Sequence, residues 1–563
     1  MSRATPPSPP ADEPIPAEAV ADPPAPVGAG GLGDEALPTS GPRSRLLRDN
    51  LSVAAGTAVG RVTGFVKVIA LAAAVDSSLR DTYLLANNTP NIIFELILGG
   101  VLTATLVPLF TENLEHGDDD ATSAIVSTTL VALVGVTVLT FLASPLLIWL
   151  YSSNHGKGVD PGQLRSVGVN LAFLFAPQVF FYGAMALGSA LLNSRKRFFA
   201  AAWAPVLENL IIIAMLFSIP VLIHGRRGLD RAAHDAQLRL ILGIGTTLSI
   251  VVMAVALLPA LRRAGVRIRW RPDFRHPAVR RALVMSGWTI GYVVANQVAA
   301  QLVNVLAKPG SGGVYDYQTA FIFFQLPHGL LAVSLMTTFQ PDLARAAVRH
   351  DDGAFHRRFL LGLRLLALLI VPAAVGYFVT SRSFVAGLHQ THYRIARFDL
   401  AAIFTVLGGF ALGLIGFSAY LFTLRAFYAR KDTRTPFLLN CVENALNVVF
   451  AILLVGRYGV EGLAYAYALA YSLAALLSLA VLLRRLPGFD LRGLIDTMAR
   501  LVAAAAVMAG AVWAVARGLC GTSATSLFVG LGLSILTGIA VYAGIVTVLG
   551  VPSVVGLGRL RRR

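Results

Sequence analysis

Gly60-Arg61-Val62-Thr63-Gly64-Phe65-Val66-Lys67 lies inside the first long apolar run of the chain, Leu51 to Val75. A run of this length crosses a hydrocarbon core about 30 Å thick as a helix. A charge at its centre costs between about 3 and about 17 kcal/mol, depending on how far water and snorkelling relieve it. Arg61 and Lys67 therefore need a wet interior or a partner. Six residues turn a helix by a net 240° or so, which sets the two cations on flanks of one broad face, both able to line a wide cavity. An ordinary reading stays open beside this one, with Lys67 snorkelling to an interface and Arg61 bonding a carbonyl.

Composition extends the membrane reading to the whole chain. Of 563 residues, 56% are hydrophobic and 14% charged, and the mean hydropathy is +0.68. So little polar surface cannot cover a soluble body of this size, and the fold class expected is an all-α polytopic membrane protein. The net charge of +17 sits mostly in short loops between apolar runs, as the positive-inside rule requires, so it reads as topology and not as a nucleic-acid surface. Cys441 and Cys520 have neither disulfide nor metal-ligand spacing, and no metal site is expected.

Residues 1–42 carry eleven of the 28 prolines, six acids and Arg3 as the one cation. They read as a disordered Pro-rich cytoplasmic tail without the order of regions that marks a signal peptide. Fourteen apolar stretches follow, the first near 51–75 and the last near 525–550. An even count returns the C-terminus to the starting side. Clusters at Arg195-Lys196-Arg197, Arg262 to Arg281, Arg345 to Arg358, Arg430-Lys431 with Arg434, and Arg484-Arg485 all fall on that side. Both termini are expected in the cytoplasm. Arg226, Arg227, Arg231 and the acidic Asp118-Asp119-Asp120 dissent.

The chain also repeats. Arg195-Lys196 precedes Glu208-Asn209 as Arg430-Lys431 precedes Glu443-Asn444, at an offset of 235 in both pairs. Two six-helix lobes, 43–265 and 266–486, then share one orientation about an axis along the membrane normal. Residues 487–563 add two helices and a basic tail. Laying span 7 on span 1 by Gly60 and Gly291 sets Tyr292 opposite Arg61, so the second lobe would not repeat the cation.

There is no P-loop, no HExxH and no nucleophile elbow, so the chain is not read as an enzyme or as an ATP-driven pump on its own. A secondary transporter fits, with no cofactor and with coupling to membrane potential, a proton or a monovalent ion. Its polar membrane residues concentrate in the first two spans of each lobe: Arg61, Lys67, Asn87, Asn88, Asn91 and Glu95, then Asn296, Gln297, Gln301, Asn304, Gln318 and Gln325, with Arg364 and Arg425 beyond. Singly, each Asn or Gln is helix-to-helix glue; together they point to a shared cavity. Pro90 and Gly99-Gly100 break span 2 and Pro327 breaks span 8, where gating bends are expected.

The residues Gly60 to Lys67, Asp81 with Pro90-Asn91 and Gly99-Gly100 through Pro108, Gln325-Leu326-Pro327-His328-Gly329, and Arg425 through Pro436 together resemble the MurJ (MviN) family of lipid II flippases, of the multidrug/oligosaccharidyl-lipid/polysaccharide exporter superfamily. The resemblance spans about 45 to 550. It implies a flippase for a lipid-linked peptidoglycan precursor in cell wall biosynthesis, working by alternating access. It also implies that Arg61 and Lys67 meet the pyrophosphate and sugar head group and that Asp81 belongs with them; from the polar cluster and helix breaks, Asn87, Asn91, Gln325 and Arg425 are expected as further substrate contacts and Pro90, Gly99, Gly100 and Pro327 as gates. Lipid II or another polyprenyl-pyrophosphate-linked sugar is the partner, together with membrane lipids and cell-wall synthesis proteins. Lys67 stands where the family more often has arginine, and so lacks its planar fork. Phe94-Glu95 replaces a frequent arginine pair, and Gln325 replaces a carboxylate found in some members. An exporter of another amphiphile on the same fold, and a transport-inactive scaffold for envelope synthesis, remain as alternatives.

Overall fold

The computed structural model describes residues 42–96, 106–390, 400–485, 490–519 and 524–551. The tail before residue 42, Gly99, Gly100, Cys520, the C-terminal arginines and the side chain of Glu95 lie outside that description. Among the described residues regular structure is helical. On the division into lobes expected from the sequence, the first half holds α1 (Pro42–Ala74), α2 (Ser77–Leu96), α3 (Val107–Glu115), α4 (Asp119–Ser152), α5 (Pro161–Phe175), α6 (Gln178–Ser194), α7 (Phe198–Leu222), α8 (Leu229–His234), α9 (Ala236–Val255) and α10 (Leu258–Arg263). The second comprises α11 (Pro277–Leu306), α12 (Gly313–Pro327), α13 (Val333–Val348), α14 (Asp352–Gln390), α15 (Leu400–Ala411), α16 (Leu414–Ala429) and α17 (Arg434–Arg484). The helices α18 (Leu491–Leu519) and α19 (Ala524–Val548) follow and pack on α14 through a core of Ala367, Val371, Leu501, Met508 and Tyr542.

Ten helical stretches are long and apolar enough to cross a membrane, or eleven when α15 and α16, bent by 50°, count as one. The fourteen expected from sequence differ from this for two reasons. Within α2 and α11 the side chains of 93–96 and 283–290 lie outside the description, so neither helix counts as a full span. And α17, with 51 residues, is two crossings: straight, it would run about 75 Å, but Gly459 takes φ 59° and ψ −138°, and the chain doubles back. Arg485 at its far end donates from Nη2 to Thr435 Oγ1 at its start, at 3.0 Å.

Side-chain caps set the helix starts. Asp118 accepts from the Ala121 amide, Asp160 from Gly162, and Asp235 from Gln237 and Leu238, each a donor that a helix N-terminus leaves open. This accounts for the acidic dissent, since Asp119 and Asp120 occupy the first turn of α4, where the helix dipole favours anions. Arg227 is explained likewise. It is buried, and it donates from Nε to Ala74 O at 2.7 Å and from Nη1 to Ile223 O at 3.3 Å, closing the C-terminal ends of α1 and α7. Arg231 pairs with Asp235. Arg227 and Arg231 thus have local partners, and their place says little about topology.

The repeat is visible in backbone detail. Lys196 and Lys431 both take left-handed φ, 56° and 60°. In the first turn the amides of Arg195, Lys196 and Arg197 bond Leu192, Asn193 and Leu192; in the second those of Arg430, Lys431 and Asp432 bond Phe427, Tyr428 and Phe427. The offset of 235 extends to the first helix of each lobe. A Cβ on Gly56 would meet Ala202 and Trp203, and one on Gly291 would meet Phe437, which is Ala202 plus 235. The Gly60–Gly291 register is therefore corrected by four residues, one helical turn. Asn296, not Tyr292, stands in the place of Arg61, and Leu302 in that of Lys67. The second lobe still carries no cation there.

Call the end of the bundle that holds Arg195, Arg430 and Arg484 the basic end, and the opposite one the far end. At the far end the lobes share a core: Val303, Ala307, Val314 and Leu463 join Ala74, Val75, Leu79 and Tyr151. At the basic end the linker 264–276 is strapped to α4 by hydrogen bonds from the Arg269, Arg271 and Asp273 amides to Ser123, Ser127 and Thr128. The α16–α17 junction is tied by Asp432. Burial pushes its carboxyl up, but the Thr435 hydroxyl and amide and the Arg485 guanidinium outweigh this and hold it below the usual carboxylate range.

Candidate functional site

Two stripes on α1 part the cations. Gly60, Thr63, Gly64 and Lys67 face α7: Asn209 donates to Gly60 O and Thr63 Oγ1, each at 3.1 Å, and Lys67 Nζ donates to Glu208 Oε1 at 3.1 Å. Arg61, Phe65 and Val68 face the second lobe. The Arg61 guanidinium lies against Gly329, with atoms 3.4 to 3.9 Å from where a Cβ would stand; Phe65 meets Phe323 edge-on at 5.4 Å; Val68 O accepts from the Tyr315 hydroxyl. The 240° separation thus sends Lys67 into its own lobe and Arg61 toward Gly329 of the other, so that Arg61 lines neither of the two cavities described next.

A cavity of about 520 Å³ lies beside Lys67, lined by Asn87, Asn88, Asn91, Tyr182, Glu208 and Gln297 among others. Three of the expected contacts, Lys67, Asn87 and Asn91, meet there. Glu208 had been visible only as a repeat marker; an acid in mid-span was the signal that it belongs to the site. A second cavity of about 340 Å³ opens in the other lobe between Tyr292, His328, Arg425 and Tyr428, where Arg425 Nη1 donates to Gln340 Oε1 at 2.9 Å. Gln325 is exposed and lines neither cavity.

Asp81 lines neither cavity either. It is 0% exposed: Oδ2 accepts from the amides of Gly310 at 3.1 Å and Gly312 at 2.8 Å, and Oδ1 from Tyr315 at 3.0 Å. All three donors belong to the second lobe. Both glycines have positive φ, 86° and 94°, which lets the turn before α12 aim its amides at one carboxylate. Beside it the Arg80 guanidinium stacks 3.9 Å over the Tyr315 ring. Gly156 N also bonds Pro309 O, and Asn154 bonds Val305 O. These form a clasp between the lobes at the far end.

A polar strip runs from the clasp toward the first cavity. Gln301 Oε1 accepts from Tyr151 at 2.6 Å, from Asn88 at 2.8 Å and from Asn304 at 3.2 Å, and Gln301 Nε2 donates to Gln297. In this state Gln301 and Asn304 are interface glue. Asn296 accepts from Asn440 and Asn444 inside its own lobe.

The bends fall where the prolines are. Pro90 is buried within α2, and Pro327 ends α12 ahead of a π-helical turn, His328–Ala332, that leads into α13. Single π turns accompany sites where a helix must deform. Gly329, the residue against Arg61, lies in this turn.

Comparison with known proteins follows the same architecture. The chain matches the family described as "Lipid II flippase MurJ" over residues 72–531. A MurJ relative from Rhizobium tropici is 28% identical over 480 residues, covering 83% of this chain and 86% of the relative. The "Lipid II flippase MurJ" of Burkholderia cenocepacia is 27% identical over 429 residues, covering 74% and 80%. Among solved structures, "Lipid II flippase MurJ, inward closed conformation" superposes with a TM-score of 0.70 at 19% identity, covering 89% of this chain and 98% of that one. An inward-facing multidrug transporter of the MATE family superposes with a TM-score of 0.59 at 14% identity, covering 76% and 94%. These two show the fold alone. With more than four-fifths of its length inside the family match, the chain belongs to the MurJ family of lipid II flippases.

Proposed function

We propose that this chain moves the head group of lipid II across a bacterial plasma membrane by alternating access between its two lobes. Its family is one of flippases and not of enzymes. The observation that carries the reading is the position of Arg61: an exposed guanidinium on the face of α1 turned to the second lobe, against the π turn of the facing span, with the far end tied by Asp81. An anionic cargo in a wet space between the lobes repays a cation there. The basic end faces the cytoplasm on the positive-inside rule, and both termini with it, so the sealed far end faces outward. The lobes then part at the clasp to release the head group, while the prenyl tail stays in lipid. Moving a negative charge outward across an inside-negative membrane releases about 2.3 kcal/mol per charge per 100 mV, so membrane potential supplies a drive, with a proton or monovalent ion to reset the site. Membrane lipids contact the outer faces, and cell-wall synthesis proteins meet the cytoplasmic loops and tail.

The test is outer-leaflet lipid II in a flippase-depleted cell carrying this chain or its Arg61→Ala variant at equal protein levels. Rescue by the wild type and loss of exposure with the variant are expected; unchanged exposure would remove Arg61 from the role. One observation favours a second reading. Glu208 neutralises Lys67, which suits a less anionic amphiphile, and a wild-type chain that fails to rescue the depleted cell would support that exporter instead.

A further inference from the structure

The linker 264–276 lies on the first turns of α4, and the side chains it turns outward do not suit water alone. Trp270 is 66% exposed and Phe274 58%, with Ile268 open beside them. Exposed arginines interleave with these at 267, 269, 271 and 275. Of the eight arginines from 262 to 281, Arg271 pairs with Asp120 and Arg281 with Glu112. The other six have no carboxylate partner among the described residues. Rings and cations set side by side in this way suit a surroundings that is apolar on one side and anionic on the other.

Depth along α4 points the same way. The linker amides bond Ser123, Ser127 and Thr128, in the stretch of α4 where residues 121–128 are buried. Beyond it α4 turns large apolar side chains outward, from Val134 to Trp149. The 21 residues from Thr128 to Trp149 cover about 32 Å of helix, against a hydrocarbon core about 30 Å thick. With Trp149 in the aromatic belt of one interface, the linker falls at the level of the other. We infer that residues 264–276 seat in the head-group layer of the membrane as a docking surface for anionic phospholipid. Trp270 and Phe274 enter the upper acyl region, and Arg267, Arg269 and Arg275 take the phosphates, for which a guanidinium offers paired N–H donors. The same segment is the chain connection between the two lobes, so the anchor holds the point that joins them.

The experiment uses full-length protein in nanodiscs of mixed phosphatidylcholine and phosphatidylglycerol, with bromine on the upper acyl carbons of one lipid or the other at the same mole fraction. The difference in emission between wild type and Trp270→Phe isolates Trp270. Brominated lipid of either kind should quench it, at least about twofold more strongly when the bromine is on phosphatidylglycerol. That preference should fade in about 1 M salt, where the Debye length is about 3 Å. Combined Arg267→Gln, Arg269→Gln and Arg275→Gln should keep the quenching and the melting temperature and abolish the preference. Quenching of Trp270 by aqueous acrylamide and not by brominated lipid would overturn the inference and leave the surface to a soluble partner. Equal quenching by the two brominated lipids, or a preference that survives the triple substitution, would overturn the role of the arginines. No lipid II is present, so the cargo reading stands or falls separately.

Discussion

Replacing Asp81 by asparagine tests whether the clasp holds the far end shut. The substitution keeps the size of the side chain and one carbonyl oxygen, but puts an NH₂ group where an oxygen now accepts from backbone amides. If that group takes the place of Oδ2, the bonds from Gly310 and Gly312 are lost. Hydrogen bonds to a charged group are worth about 1.5–3 kcal/mol each, so the sealed state loses about 3–6 kcal/mol. The loss is confined to that state, because parting the lobes lets water reach the same amides. At about 1.4 kcal/mol per tenfold, the population open at the far end rises by at least about 100-fold. Ala307 is 0% exposed within the core the lobes share, so a cysteine there, with the two native cysteines removed, reports opening through its reaction rate with a membrane-impermeant maleimide. Asp81→Asn should accelerate labelling by that factor until the open state dominates. Unchanged labelling together with a lowered melting temperature would show that Asp81 supports its own lobe and does not hold a gate.

Other consequences follow from packing and charge. In Gly413→Ala the new methyl would stand 2.5 Å from Ala468 Cα; α16 and the second limb of α17 must separate, and a thermal melt should show a loss of about 1–3 kcal/mol. Arg227→Met keeps the apolar stem and removes both carbonyl caps at the ends of α1 and α7, so stability should fall by about 2–6 kcal/mol in denaturant titration, at about 1–3 kcal/mol for each carbonyl left without a donor. Asp432 has its folded value held below the usual range, so its contribution is full above the unfolded value and fades as pH falls through the folded one. Acid melting of the wild type should therefore steepen in that range, and the Asp432→Asn protein should lack that component.

The fold was legible in the sequence because hydropathy and loop charge are local. The offset of 235 was legible too, since turns such as Arg195-Lys196 and Arg430-Lys431 keep their chemistry when their helices diverge. Register within the first span of each lobe was not: Gly60 and Gly291 looked equivalent, and the contacts with Ala202 and Phe437 were needed to show that Gly56 is the match. Lys67, Asn87 and Asn91 were foreseen as cavity residues because a lysine or a run of asparagines has few other uses in a span. Asp81 stood out for its charge, but that its oxygens face amides 229 to 234 residues away is a matter of tertiary approach that no spacing encodes. Glu208 was in plain view and read only as a landmark, because pairing across α1 and α7 depends on the rotation of both helices.

The central claim is that the gap between the lobes carries a polyprenyl diphosphate head group from one leaflet to the other. Its most direct test is reconstitution of the purified chain in vesicles with labelled lipid II, scoring how much head group on the protected leaflet becomes accessible from outside. The account predicts that vesicles with wild-type protein expose that pool, that protein-free and Arg61→Ala vesicles keep it protected, and that undecaprenyl phosphate is moved far less. Equal exposure with and without protein, or equal movement of lipid II and undecaprenyl phosphate, would contradict it.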